Sequence, residues 1–265
     1  MTRGKFITFE GGEGSGKSTQ ARLLADRLKV RGIDAVLTRE PGGSPFAERV
    51  RALLLDPATP SHSALSEALL FYAARADHLD KTIRPALAAG RWVICDRFSD
   101  STRVYQGVAG GLSGDALGAL ERLVVAPTQP ELTLFLDLAP GDGLARARAR
   151  GATPGVALAD TDPFERRDPQ FHERLRAGYL AIAEAEPQRC VLIDGAGAPD
   201  TIAAEIWGHV ERRLSQFHER LRAGYLAIAE AEPQRCVLID GAGAPDTIAA
   251  EIWGHVERRL LQGVP

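Results

Sequence analysis

A run of β-forming character, "KFITFE", leads directly into Gly11-x-x-x-x-Gly16-Lys17-Ser18, and an amphipathic segment, Ser18–Val30, follows. Few folds accommodate that succession. The glycines let the backbone curl until successive N–H groups point at one place, and the opening of a helix adds positive potential there. The pattern predicts a strand–loop–helix unit that cradles phosphates. Backbone from Gly11, Gly12, Glu13, Gly14, Ser15, Gly16 and Thr19 wraps the nucleotide, Lys17 reaches the β- and γ-phosphates, and the Ser18 hydroxyl ligates Mg²⁺.

The rest of the chain fits the same plan. "DAVLTRE", "RWVICD", "LTLFLDL" and "RCVLID" are short, almost continuously apolar runs, as strands buried on both faces should be. Helical patterns at Ser63–Ala89 and Gly114–Val125 lie between them. Strand–helix alternation predicts an α/β fold with a parallel sheet covered on both sides. Gly151–Asp168, rich in Gly, Pro and Asp, breaks the alternation and is expected to be a lid loop. A net charge of -3 over 265 residues gives no argument for nucleic acid or a membrane surface as partner. Three cysteines without metal or disulfide spacing suit reduced thiols of the cytoplasm, and the histidines show no metal pairing.

One feature departs from any simple domain. Gln170–Leu214 is restated letter for letter as Gln216–Leu260, with Ser215 between. Each copy reads helix, strand, helix: Pro169–Glu186, Arg189–Asp194 and Pro199–Leu214 in the first. Two copies are too few for a solenoid. The expected organisation is one domain over 1–214, with 216–260 as surplus. Contact energies cannot choose between identical copies, but connectivity can. Docking the second would enlarge the lid loop about fourfold, at roughly (3/2)RT ln 4 or ~1.2 kcal/mol. The first copy should therefore dock. The second then trails as an appendage that is expected to extend the sheet as a sixth strand, ranked slightly ahead of docking into another molecule as a swapped dimer or staying partly disordered.

No Asn-Lys-x-Asp run reads guanine here, which argues against a GTPase. "FEGGEGSGKSTQ", "TREPGGSPFAERVRALLL", "LLFYAARADHL", "CDRFSDSTRVYQG" and "LTLFLDLAPGDGLARARARG" together resemble bacterial thymidylate kinases, in order, from Lys5 to Leu214. The resemblance implies the P-loop kinase fold with sheet order 2-3-1-4-5, ATP and Mg²⁺ as cofactors, and transfer of a phosphoryl group from ATP to dTMP. It also implies a cytoplasmic homodimer.

Phosphoryl transfer chiefly needs positioned phosphates and neutralised charge. Asp96 and Arg97 end the third strand at the carboxyl edge of the sheet, where such ligands sit. Arg97 can fork onto the acceptor phosphate, and Asp96 can hold Mg²⁺ through water. Phe71 and Arg75, four apart, share a helical face. By resemblance Phe71 stacks on thymine and Arg75 donates to its O4. Resemblance also places Tyr105 and Gln106 beside the deoxyribose, Thr102 near the base, Pro41 in the pocket wall, Arg51 on the acceptor phosphate and Glu13 on the 3′-hydroxyl. Asp194 and Ala196 fall in the loop that backs adenine. Gly14 stands where another branch of the family has a catalytic arginine, so the lid should supply that charge. Arg150 is the leading candidate, ahead of Arg146 and Arg148, with Arg166 and Arg167 able to compensate for a divergent lid. Asp137 reads as a structural carboxylate. Two other readings stay open: a catalytically impaired or regulatory nucleotide-binding protein, and a kinase for another deoxynucleotide.

Overall fold

The structure, a computed structural model, describes residues 3–151 and 167–261. Five strands form one parallel sheet in the order β2-β3-β1-β4-β5. They are β1 (Phe6–Glu10), β2 (Ala35–Arg39), β3 (Trp92–Asp96), β4 (Leu132–Asp137) and β5 (Cys190–Asp194). β1 lies at the centre with all five residues buried, the polar Thr8 and Glu10 among them. Its register sets Phe9 opposite Asp96 and Leu134. Arg39 lies opposite Asp96, and Asp137 opposite Asp194. The charged residues that end the strands thus gather along one carboxyl edge.

The helices are α1 (Lys17–Val30), α2 (Pro45–Leu55), α3 (Ala64–His78), α4 (Arg84–Ala88), α5 (Ser99–Thr102), α6 (Gly114–Val124), α7 (Pro140–Gly151), α8 (Pro169–Ala185), α9 (Pro199–Ala231) and α10 (Pro245–Val256). Their starts are written locally. Ser44, Ser63, Ser113 and Asp168 each accept a backbone N–H of the first turn, and Pro45 and Pro169 occupy first-turn positions. α1 opens instead on Gly16, in the left-handed region, with no side-chain cap. Apolar clusters hold the layers. Phe6, Tyr72, Leu79, Ile83, Leu87, Val93 and Phe98 pack together. Val104, Phe135, Phe171, Leu175, Tyr179 and Ile182 form another. The Trp207 ring lies under the Arg27 and Arg31 guanidiniums, 4.6 and 5.2 Å away.

The chain divides into two compact units, Met1–Trp207 and Gly208–Pro265, so the boundary falls before Leu214. The fifth strand comes from the first copy. A sixth strand is not formed: Cys236–Asp240, identical to β5 in sequence, carries no strand pairing among the described residues. The helix expected to end at Leu214 also runs on, to Ala231. Its stop signal is missing. The first copy's opening helix is preceded by Asp168 and Pro169, whereas the second copy follows Leu214 and Ser215, with neither proline nor a cap demanded there.

Candidate active site

The turn after β1 brings backbone into tight quarters. Gly11, Gly14 and Gly16 have φ of 138°, 68° and 96°. A Cβ on Gly14 would stand 1.9 Å from the Gly143 carbonyl oxygen of α7. No side chain fits there, which explains why this loop carries glycine where an arginine would clash. Lys17 Nζ donates to the Gly12 carbonyl at 2.7 Å, and the Ser18 hydroxyl donates to Asp96. Burial, and then the nearby Arg97 charge, lower the Lys17 ammonium to about 8 against the pull of Glu13 and Asp96.

Arg97 is held at φ 68°, a left-handed conformation that a residue with a Cβ adopts only under constraint. Its guanidinium donates to Glu13 Oε1 at 2.7 Å, the Gly11 carbonyl at 3.1 Å, the Ser101 hydroxyl at 3.2 Å and the Tyr179 hydroxyl at 3.3 Å. Tyr105 donates to Glu13 Oε1 at 2.5 Å. Burial would raise the Glu13 carboxyl, but Arg97, Lys17 and the Tyr105 bond hold it down at about 2.

A cavity of about 410 Å³ joins these groups to the other expected residues. Lys17, Ser18, Asp96, Arg97 and Glu13 line it, and so do Pro41, Arg51, Phe71, Arg75, Thr102, Tyr105 and Gln106. Arg75, 1% exposed, donates to Glu40 Oε2 at 2.7 Å, to the Phe98 carbonyl at 3.2 Å and to Thr102 Oγ1 at 3.1 Å. Its Nη1 has no partner among the described residues. Gln106 Nε2 donates to Glu67, and Arg51 Nη1 to the Pro41 carbonyl at 2.9 Å.

The thymidylate kinase family model matches residues 9–206. A thymidylate kinase of Caulobacter vibrioides is 55% identical over 206 residues, covering 78% of this chain and 95% of its own. One from Nitrobacter winogradskyi is 51% identical over 205 residues, 77% of this chain and 87% of its own. The chain belongs to the thymidylate kinase family. A crystal structure of thymidylate kinase from Ehrlichia chaffeensis superposes with a TM-score of 0.62 at 34% identity, covering 78% of this chain and 99% of that one.

The loop after β5, expected from the sequence to back adenine, is built from the first copy. Ala196 N–H donates to Asp194 Oδ1 at 2.9 Å, and Gly195 N–H to the Asp137 carbonyl at 2.7 Å. Arg146 grips the same loop, donating to the Gly195 and Ala196 carbonyls at 2.8 and 3.3 Å. Arg148 is exposed, and Arg167 lies 3.8 Å from Glu67. The Arg150 side chain, Arg166 and the lid over 152–166 lie outside the described residues. Asp137 makes a bidentate pair with Arg176 at 2.7 and 2.8 Å, a structural role.

Sequence reasoning missed the groups behind Arg97. Ser101 donates to Glu10 Oε2 at 2.6 Å, and Tyr179 donates to it at 3.3 Å. Tyr179 reads in sequence as one more apolar position of α8, and Glu10 as the end of a strand. Arg39, Glu40, Leu55, Phe98 and Ser101 also line the cavity without having been expected there.

Proposed function

We propose that the chain transfers the γ-phosphoryl group of ATP to the phosphate of dTMP, giving ADP and dTDP in thymidine nucleotide synthesis. The observation that carries this is a single cavity lined both by the phosphate-loop lysine with Asp96-Arg97 and by an aromatic ring beside a buried arginine with an unpartnered donor. The first set suits a triphosphate and an acceptor phosphate, and the second suits a base with a carbonyl edge. Lys17 draws the donor phosphates, and Arg97, already fixed by four bonds, orients the acceptor phosphate. Glu13, ionised at neutral pH, accepts the 3′-hydroxyl. Tyr105 walls the 2′ position. Phe71 stacks on thymine, with Thr102, Gln106 and Pro41 around it, and Arg51 gives the acceptor phosphate a second contact. Ser18 and Asp96 form an all-oxygen donor pair that fits Mg²⁺, and the ion would supply charge neutralisation on the phosphates when bound. Arg150 is the proposed lid arginine, and 151–168 the lid. Asp194 and Ala196 back adenine.

The reading extends to a cytoplasmic homodimer, as the family resemblance implies. A coupled ADP-release assay over dTMP, dUMP, AMP and CMP tests the activity. Turnover should be fastest by far with dTMP. Nucleotide binding without turnover would favour the regulatory reading, and equal use of another monophosphate would reassign the substrate.

A further inference from the structure

We infer that a buried chain of hydrogen bonds, Thr38–His78–Glu40–Arg75, positions the arginine that reads the acceptor base, and that His78 is thereby a specificity-determining positioning residue. This rests on the proposed function. Glu40 is 5% exposed and its two carboxylate oxygens are divided between two partners. Oε2 accepts from Arg75 Nε at 2.7 Å, and Oε1 lies 3.0 Å from His78 Nδ1. The other imidazole nitrogen, Nε2, lies 2.8 Å from the Thr38 hydroxyl. His78 is fully buried and does not itself line the cavity, which it meets only through Glu40.

The charges make sense only as a unit. A buried carboxylate needs a cation and further donors. Arg75 supplies the cation, the His78 ring meets the second carboxylate oxygen through Nδ1, and its Nε2 lies within hydrogen-bond reach of the Thr38 hydroxyl. With Nε bound to Glu40 and Nη2 shared by Phe98 and Thr102, the guanidinium plane cannot swing, and Nη1 is the donor left over. The surrounding loop is moulded on this chain. Gly43, at φ +81°, passes so near that a Cβ would stand 2.3 Å from His78 Nε2 and 2.4 Å from Thr38 Oγ1. Thr82 donates to the Gly43 carbonyl at 2.7 Å and pins the loop in that place.

The consequence lies in base discrimination. A donor fixed in one direction rewards a carbonyl at the pyrimidine 4-position and penalises an amino group there, because two donors then face each other unpaired. A loosened arginine can turn away and lose that preference.

The experiment compares His78→Phe, His78→Asn, Thr38→Val and Arg75→Ala in the full chain, by steady-state kinetics with dTMP, dCMP and ATP. His78→Phe keeps bulk but removes both hydrogen bonds. Its KM for dTMP should rise about tenfold, with kcat/KM for dTMP over dCMP falling by a similar factor and KM for ATP unchanged. His78→Asn retains a donor toward Glu40 and should recover most of the ratio. Thr38→Val, milder and safe for folding, should move the ratio the same way by roughly threefold. An unaltered ratio in both His78→Phe and Thr38→Val overturns the inference, as does a loss falling equally on dTMP and ATP. If His78→Phe does not fold, Thr38→Val and His78→Asn decide alone. A wild-type chain inactive on dTMP, or an Arg75→Ala ratio equal to wild type, would instead sink the proposed function.

Discussion

Glu10 and Glu13 stand three residues apart, and the fold moves their carboxyls in opposite directions. Glu13 sits against Arg97 and Lys17 and is held at about 2. Glu10 is fully buried near Asp100, and burial first, then that charge, push it up to about 7 despite the Ser101 and Phe98 donors. A carboxyl raised in the folded state binds more protons folded than unfolded between about 4.5 and 7, so its contribution to stability falls as pH rises through that window. Glu10→Gln should flatten the decline in stability between pH 5 and pH 7.5 in urea melts, and an unchanged slope would show that Glu10 does not govern it. Glu13 acts in the opposite sense, its stabilising contribution being lost as pH falls from about 4.5 toward 2. The phosphate contacts proposed for Lys17 and Arg97 are tested at the same scale. Lys17→Ala and Arg97→Ala should each cost ~10²–10³ in turnover with melting temperature little altered. Turnover within tenfold of wild type in both would refute their placement.

Among the elements, α9 shows how a helix ends only where something ends it. Its 33 residues cross the seam between the copies. The seam reads "ERRLSQFHERL", all tolerable in a helix interior, and Ser215, a residue able to cap, has no proline beside it to force a break. Ser215→Pro removes one backbone donor and clashes with the preceding turn, a penalty of about 3 kcal/mol if the helix stays continuous. We expect the helix to stop near the seam, seen as faster amide exchange over 210–218, while kinase activity is retained. Unchanged protection would mean that packing rather than local sequence holds the seam helical.

For the whole molecule, identical sequences meet different surroundings. Tyr179 is 4% exposed and Tyr225 64%; Trp207 is 4% and Trp253 57%. If the second copy can occupy the place of the first, the two should exchange. A charge on the buried face of β5 should therefore be less harmful than core chemistry suggests. In a chain cut after Leu214, Ile193→Asp buries a carboxyl and should cost about 4 kcal/mol or more. In the full chain the second copy can take over, and the loss should be capped near the loop-closure cost of ~1.2 kcal/mol. Ile239→Asp should be nearly silent, and the double variant should be as poor as the truncated one. Equal losses for Ile193→Asp in the long and short chains would show that the copies do not exchange.

What could be read from sequence alone was whatever is fixed by neighbours along the chain. The glycines and lysine of the phosphate loop, the serine and aspartate caps and the alternation of apolar runs with helices all state their geometry locally. Both copies form the helix that opens at Pro199 or Pro245, because proline and good helix formers act the same way wherever they occur. The strand does not repeat. Cys190–Asp194 is a strand because β4 offers it a row of donors and acceptors, and Cys236–Asp240, with the same five side chains, pairs with nothing of that kind among the described residues. The same distinction separates the expected site residues from those missed. Arg97 was legible from its place at the end of an apolar run, whereas Tyr179, 82 positions further on, meets it only once α8 lies over the sheet. Sheet pairing and polar contacts across such separations are settled by which surfaces the packed chain brings together, and no stretch of local sequence contains that information.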